Sequence, residues 1–220
     1  RPWNSSTVRL HLVGAMPNAG HCHPDKGSFI IEACGEIFAG DRGLMIYGDP
    51  RCRTLSAEVA HNLAVPDDCF QINPAPVAAL WEGTGDARRL DAEIDTSGIW
   101  RAHVRRSRRH IHSPQPDLIE ITDEFELDEA LPVRFYLQTP LSITAEGTQA
   151  TVQGKRARLH VEAAWAASAS AGEYYCDFAY RPWNRLVMTS APARRHVLAF
   201  FHAPPDEYGV AESSAEYPDA

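Results

Sequence analysis

The chain has 220 residues, 44% of them hydrophobic and 23% charged, and 29 acidic against 21 basic side chains give a formal net charge of −8. That composition excludes a collagen-like, low-complexity or wholly disordered chain. No apolar run reaches the roughly 18–20 residues a membrane-spanning helix needs, so no membrane insertion is expected, and the acidic balance argues against a nucleic-acid partner.

The length fits one large domain or two small ones, with enough chain to bury a sizeable core. The first residue is Arg1, and no charged segment leading into an apolar one follows it, so the chain is expected to be part of a longer protein. Its five cysteines, Cys22, Cys34, Cys52, Cys69 and Cys176, are an odd number and contain no C-x-x-C spacing. That rules out a zinc ribbon or a thioredoxin motif and leaves pairing and compartment open.

Taken in chain order, the predicted elements are almost all strands. Val8, Leu10 and Leu12 alternate with Arg9 and His11, the period of a half-buried strand. Ser28 to Ala33 and Ile37 to Gly40 flank Cys34-Gly35-Glu36 and read as a hairpin. Leu44 to Tyr47 reads as a strand closed by Gly48-Asp49-Pro50, and His61 to Val65 as another ended by Pro66-Asp67-Asp68. Further strands are expected at 99–104, 118–122, 133–137, 141–145, 151–153, 157–163, 185–188 and 197–201. Helical signals are few. Segments 55–60 and 86–91 could each form a turn or two, and the Ala/Ser-rich 163–171 a helix or a loop. Many short strands at even spacing predict an all-β chain, a large antiparallel β-sandwich. It is expected to span residues 1–202, with a polar, extended or mobile tail over 203–220. The tetrapeptide Arg1-Pro2-Trp3-Asn4 recurs at 181–184 without similar flanks and is read as chance.

The densest chemistry lies near the start, in Gly20-His21-Cys22-His23-Pro24-Asp25-Lys26-Gly27-Ser28-Phe29. In an extended chain His21 and His23 point to one side, and Pro24 biases His23 away from helix. Asp41, at a strand end, and His61, at a strand start, could meet them at one sheet edge. Three N/O ligands and a water suit a tetrahedral Zn2+. Ten histidines in the chain also make chance clustering on the surface a real alternative.

The ordered set His21-x-His23-x-Asp25-x-x-Ser28-Phe29, Gly35-Glu36, Asp41-Arg42-Gly43, Tyr47 and Ala60-His61-Asn62 resembles the C-terminal module of the heparinase II/III-like polysaccharide lyases. Ile121-Thr122-Asp123-Glu124-Phe125, after a basic strand, resembles the next section of that family more loosely. The resemblance implies a two-part enzyme, with an upstream helical toroid domain and a downstream antiparallel β-sandwich. It implies β-elimination on an acidic polysaccharide or oligosaccharide containing uronic acid. His21 corresponds to the catalytic histidine, and His23, Asp41 and His61 to metal ligands, with zinc the implied ion in a structural role. It also implies a periplasmic or secreted protein.

The run from Arg101 to His112 is the only strongly basic one. Arg105 and Arg106 are candidate substrate binders through bidentate contacts to carboxylate or sulfate, against a solvated, charge-protected strand edge. Trp81, Trp100, Trp165 and Trp183 could stack on sugar rings or fill the core. Asp123 and Glu124 read as a charged strand end. Two rival functions remain. A cupin-like oxygenase fits poorly, because the glutamate its motif wants soon after H-x-H is replaced by Gly27-Ser28. A non-catalytic carbohydrate-binding or structural β-sandwich would be distinguished by the absence of a helical region upstream.

Overall fold

In the computed structural model, which describes residues 8–203, strands dominate. They are β1 (Val8–Leu12), β2 (Phe29–Ala33), β3 (Glu36–Ala39), β4 (Ala64–Pro66), β5 (Phe70–Gln71), β6 (Glu82–Gly85), β7 (Leu90–Asp95), β8 (Trp100–Arg101), β9 (Val104–Gln115), β10 (Leu118–Leu131), β11 (Val133–Thr139), β12 (Ser142–Glu146), β13 (Gln149–Gln153), β14 (Arg158–Glu162), β15 (Ala166–Cys176), β16 (Pro182–Ser190) and β17 (Ala193–Ala203). Among the described residues one short helix, α1 (Arg51–Ser56), lies between β3 and β4, followed by a 3-10 turn at Glu58–Ala60, and a second 3-10 turn, Ser97–Ile99, precedes β8.

The strands form an eight-stranded sheet ordered β12-β13-β14-β17-β10-β9-β7-β6 and a four-stranded sheet ordered β15-β16-β11-β4. A three-stranded sheet, β1-β2-β3, and a small β5-β8 pair complete the set. The two larger sheets face each other across one apolar core. Ile111, Ile119, Ile121, Phe125, Val161 and Leu198 come from the large sheet, and Val133, Phe135, Leu137, Leu186 and Met188 from the smaller. Phe29 carries β2 into the same core, its ring stacked on Phe135 at 6.4 Å between centroids. The period-2 alternation is the reason: on β10 every second residue from Ile119 to Leu127 is buried. The all-β sandwich is as expected from the alternating pattern.

The hairpin between β2 and β3 turns on Cys34 (φ 54°) and Gly35 (φ 76°), two residues both at positive φ. This is the backbone of a type I′ turn, whose twist matches the flanking strands. A glycine takes that conformation freely, and a cysteine tolerates it because the turn closes an antiparallel pair.

Several expectations are corrected. Segment 44–47 is not a strand but an irregular loop with Leu44, Ile46 and Tyr47 exposed. Its apolar side chains imitate a strand, yet they have no sheet partner. His61 does not start a strand; it ends the 3-10 turn, and pairing begins only at Ala64. Segment 86–91 is the β6–β7 turn and the first residues of β7, with Asp86 accepting from the Arg88 and Arg89 N–H groups. The Ala/Ser-rich segment 163–171 leads into β15, because pairing with β16 overrides its helix propensity. The expected strand at 99–104 is split between β8 and β9. The strands are not all short: β9, β10, β15 and β17 have 12, 14, 11 and 11 residues. Trp100 and Trp183 are buried, which takes both out of sugar stacking. The polar tail, apart from Ala203 at the end of β17, and the first copy of the repeated tetrapeptide lie outside the described residues.

Candidate metal centre and the adjoining cleft

Three separate segments meet at one corner of the sandwich. The first is the long loop between β1 and β2. It is closed at its base by Val13 N–H donating to Ser28 O and Gly27 N–H donating to Val13 O, both at 2.9 Å. Its tip carries His21-Cys22-His23. The second segment is the chain just after β3, carrying Asp41. The third is the end of the 3-10 turn, carrying His61.

One ligand atom from each of His23, Asp25, Asp41 and His61 lies within 4.8 Å of the others. His61 Nδ1 is 2.9 Å from Asp41 Oδ2, and the His23 and His61 rings are 5.1 Å apart between centroids. Asp41 Oδ1 accepts the Gly43 N–H at 2.6 Å. Asp25 Oδ1 accepts from Lys26 Nζ at 2.6 Å, and the same ammonium, itself buried, donates to His23 O. The expected ligands His23, Asp41 and His61 are therefore brought together, and Asp25 joins them. Asp25 stands in the H-x-H-x-D pattern, and its place two residues beyond His23 is the signal that it would lie here.

The electrostatics follow from crowding. Burial, and then the adjacent His61 ring, hold His23 below the ordinary histidine range. Burial pushes the Asp41 carboxyl up, but the hydrogen bond and charge of His61 and the Gly43 N–H outweigh it and leave Asp41 below its ordinary value. His61 is 1% exposed, and its buried Nε2 has no hydrogen-bond partner. An unpartnered buried nitrogen costs about 1–3 kcal/mol. Such an atom, beside two carboxylates and a second imidazole, fits a cation that accepts nitrogen and oxygen donors, and Zn2+ matches this set.

Three buried polar side chains fix the corner. Arg109 forks onto Asp123 with bonds of 2.6 and 2.7 Å, and its NH1 donates to Gly27 O at 2.7 Å and Asn62 O at 2.9 Å. One guanidinium thus ties the His21–His23 loop to the residue after His61. Asn62 donates through Nδ2 to Phe29 O and Gly40 O and accepts the Gln138 N–H at 2.7 Å. Gln71 brackets Lys26, accepting its N–H at 2.9 Å and donating to its carbonyl at 2.8 Å. Asn62 is singled out in the sequence only within the Ala60-His61-Asn62 motif, and no positioning role is assigned there to it, to Arg109 or to Gln71. Arg109 was grouped with a solvated basic run and Asp123 with an acidic strand end, yet both are buried. The signal was strand parity: Arg109 shares a face with Ile111, and Asp123 with Ile121 and Phe125.

His21 lies beside the cluster, not in it. It is exposed, its φ of 57° is rare for a residue with a Cβ, and its Nδ1 is 2.6 Å from the Tyr47 hydroxyl. Asn73 steadies the tip, donating to Cys22 O at 2.6 Å and accepting from Cys22 Sγ at 2.9 Å. A cleft of about 600 Å3 opens here, lined by His21, His23, Tyr47, Arg53 and Asn73 among others. Leu44 and Tyr47 of its lining are exposed, as is the neighbouring Ile46, and Phe178, also exposed, packs over Gly43. Arg105 and Arg106 are elsewhere. Arg105 pairs with Asp128, and Arg106 lies 3.8 Å from Glu124, both across the β9–β10 ladder. Neither lines the cleft; Arg53 does.

No family model and no curated protein matches the sequence. Solved structures do match the fold. A heparinase III with methylated lysines superposes with a TM-score of 0.75 at 14% identity, over 93% of this chain and 33% of that one. A mutant of the heparan sulfate lyase HepC from Pedobacter heparinus gives 0.74 at 13%, over 93% of this chain and 34% of that one. A further heparinase III structure gives 0.66 at 13%, over 83% and 29%. The chain thus has the fold of a heparinase-like β-domain and spans about a third of the length of the lyases it resembles.

Proposed function

We propose that this chain is the β-sandwich part of a polysaccharide lyase that cleaves uronic-acid-containing polysaccharide by β-elimination. The observation that carries the reading is the convergence of His23, Asp25, Asp41 and His61 beside His21, in a cleft, on a fold shared with a heparan sulfate lyase.

In β-elimination a base removes the proton at C5, α to the uronate carboxylate. The resulting anion expels the oxygen linked at C4, and an acid protonates it. The C5 proton is weakly acidic, so charge developing on the carboxylate must be met by fixed donors. His21 is the proton-transfer group, acting as base at C5 or as donor to the carboxylate. The Tyr47 hydroxyl on Nδ1 orients its ring and leaves Nε2 for substrate. Arg53, on the cleft wall, is placed to pair with the carboxylate or a sulfate. His23, Asp41 and His61, joined by Asp25, would hold zinc. When bound, zinc supplies a fixed positive charge that stiffens the loop carrying His21. A direct Lewis-acid role is the other use of the same charge. The rest of the catalytic site and the remaining substrate contacts belong to an upstream helical toroid domain, and the exposed side chains of Leu44, Ile46 and Tyr47 are suited to meet it. Action on an extracellular polymer calls for a periplasmic or secreted protein.

The test is absorbance of the unsaturated uronate product, with the full-length protein and a panel of heparan sulfate, alginate and other uronate polymers. Replacing His21 by Ala is expected to lower turnover by about 10²–10⁴-fold, the usual worth of a general acid–base group. Activity on no uronate polymer, or full activity without His21, overturns the reading. Loss of zinc from a His23→Ala variant with turnover intact would remove the supporting role of the metal.

A further inference from the structure

A second constellation of metal-binding side chains lies on the outer face of the eight-stranded sheet, on different elements from the first. His110 and His112 are two residues apart on β9 and so project from the same face. Across the β7–β9 ladder Asp91 stands directly opposite His112. Its carboxylate is shared between the two rings, with Oδ1 3.2 Å from His110 Nε2 and Oδ2 2.9 Å from His112 Nδ1. The rings lie nearly parallel, 6.2 Å apart between centroids. Glu120 stands opposite His112 on the other neighbouring strand, β10.

Several other carboxylates on this face follow another rule. Arg108 pairs with Glu93 and Asp95, Arg106 with Glu124, and Arg195 with Glu126. Each of those carboxylates meets a permanent cation. Asp91 instead meets two imidazoles and no arginine or lysine. Two imidazoles and a carboxylate therefore stand together, the donor chemistry of a divalent transition metal rather than of an ion-pair ladder.

We infer that His110, His112 and Asp91 form a second, surface-exposed site for a divalent transition metal such as Zn2+, with Glu120 or water completing the shell. The carboxylate already holds both rings, one on each oxygen. Closing them on an ion takes rotations of exposed side chains, which occur freely on fast timescales. A hollow of about 530 Å3 beside Asp91 and His112 leaves room for water or an outside ligand on the metal. The site does not depend on the lyase reading or on the first cluster.

The test is a calorimetric titration of the 220-residue chain with Zn2+ at pH 7.5. It compares wild type, His23→Ala, the double variant His110→Ala/His112→Ala, and all three changes together. Wild type should take up one more equivalent than the double variant, and His23→Ala should keep that extra equivalent. Asp91→Asn alone should weaken it at least tenfold. Both histidine side chains are substantially exposed, so the fold should survive their loss, and a melting curve without metal checks that a lost equivalent reports the site and not unfolding. If the double variant binds as many ions as wild type with the same affinity, the second site does not exist. If wild type binds only at the exposed face, the first cluster fails and this site stands.

Discussion

The corner below the β1–β2 loop and the outer face of the large sheet use the same side chains, histidines and carboxylates, in opposite ways. At the corner the groups come from three separate stretches of the chain, and all but Asp41 are buried or half-buried. Arg109, Asn62 and Gln71 hold the backbone beneath them. On the outer face the groups come from adjacent strands, are exposed, and are aligned by register alone. A site made from distant loops depends on tertiary structure and on every polar group that locks it. A site made from ladder neighbours depends only on the sheet. Damage to packing should therefore cripple the first region and spare the second.

The largest effect should come from Arg109→Leu, which strands the Asp123 carboxylate and two carbonyls in the interior. Breaking a buried pair in this way costs about 3–5 kcal/mol, read from the midpoint of chemical denaturation. Replacing Arg109 and Asp123 together with apolar residues should recover much of that loss. It should not restore zinc binding at the corner, because Gly27 O and Asn62 O stay untethered. Equal zinc affinity in the double replacement would show that the guanidinium does not position the loop. Next is Asn62→Ala, which leaves the Gln138 N–H unpaired along with the Phe29 and Gly40 carbonyls. A loss of about 2–3 kcal/mol is expected, with weaker zinc binding at the corner and none of the change at His110 and His112.

A smaller effect concerns Asp177, which is buried in the turn before β16, next to the residue that packs on Gly43. Burial raises this carboxyl, but bonds from the Arg181 main chain and side chain, Trp183 and the Ala179 N–H hold it below its ordinary value. Its stabilising contribution is therefore complete above the unfolded-state pKa of about 3.9. It disappears as pH falls through the lower folded-state value. Asp177→Asn should lower stability at pH 7 and flatten the acid limb of a plot of melting temperature against pH. An unchanged acid limb would assign that slope to other carboxylates. The smallest effect is expected from Arg106→Ala, whose partner Glu124 is exposed at 3.8 Å. Removal should shift the denaturation midpoint by less than about 1 kcal/mol. A larger loss would mean that the outer ladder acts as a network.

The fold was legible because it rests on alternation, the one pattern that a sequence shows directly. Val8 to Leu12 and Leu118 to Thr122 read as strands and are strands. Segment 44–47 misled because an exposed apolar loop and a strand look alike when nothing indicates a pairing partner. Segment 163–171 misled because pairing to β16 decided its state, and pairing is not local. His23, Asp41 and His61 were found through a recognisable spacing of residues, and the structure brings them together. Arg109 and Asp123 were read by composition, as members of charged runs, when their parity with Ile111 and Ile121 already placed them inside. Asn73 and Gln71 had no local signal; each matters only because the chain returns to the same corner much later.

The first cluster has one more consequence. An unfolded chain offers an ion only the short His23–Asp25 stretch, since Asp41 and His61 arrive through separate loops. On the proposed reading, capture of an ion at full strength would wait until the sheets have closed and Arg109 has reached both loops. Free energy released by that ion would add to that of the finished fold and not to earlier intermediates. Ion uptake would thus serve as a clock for the last stage of maturation, and chelators would act most on chains already assembled.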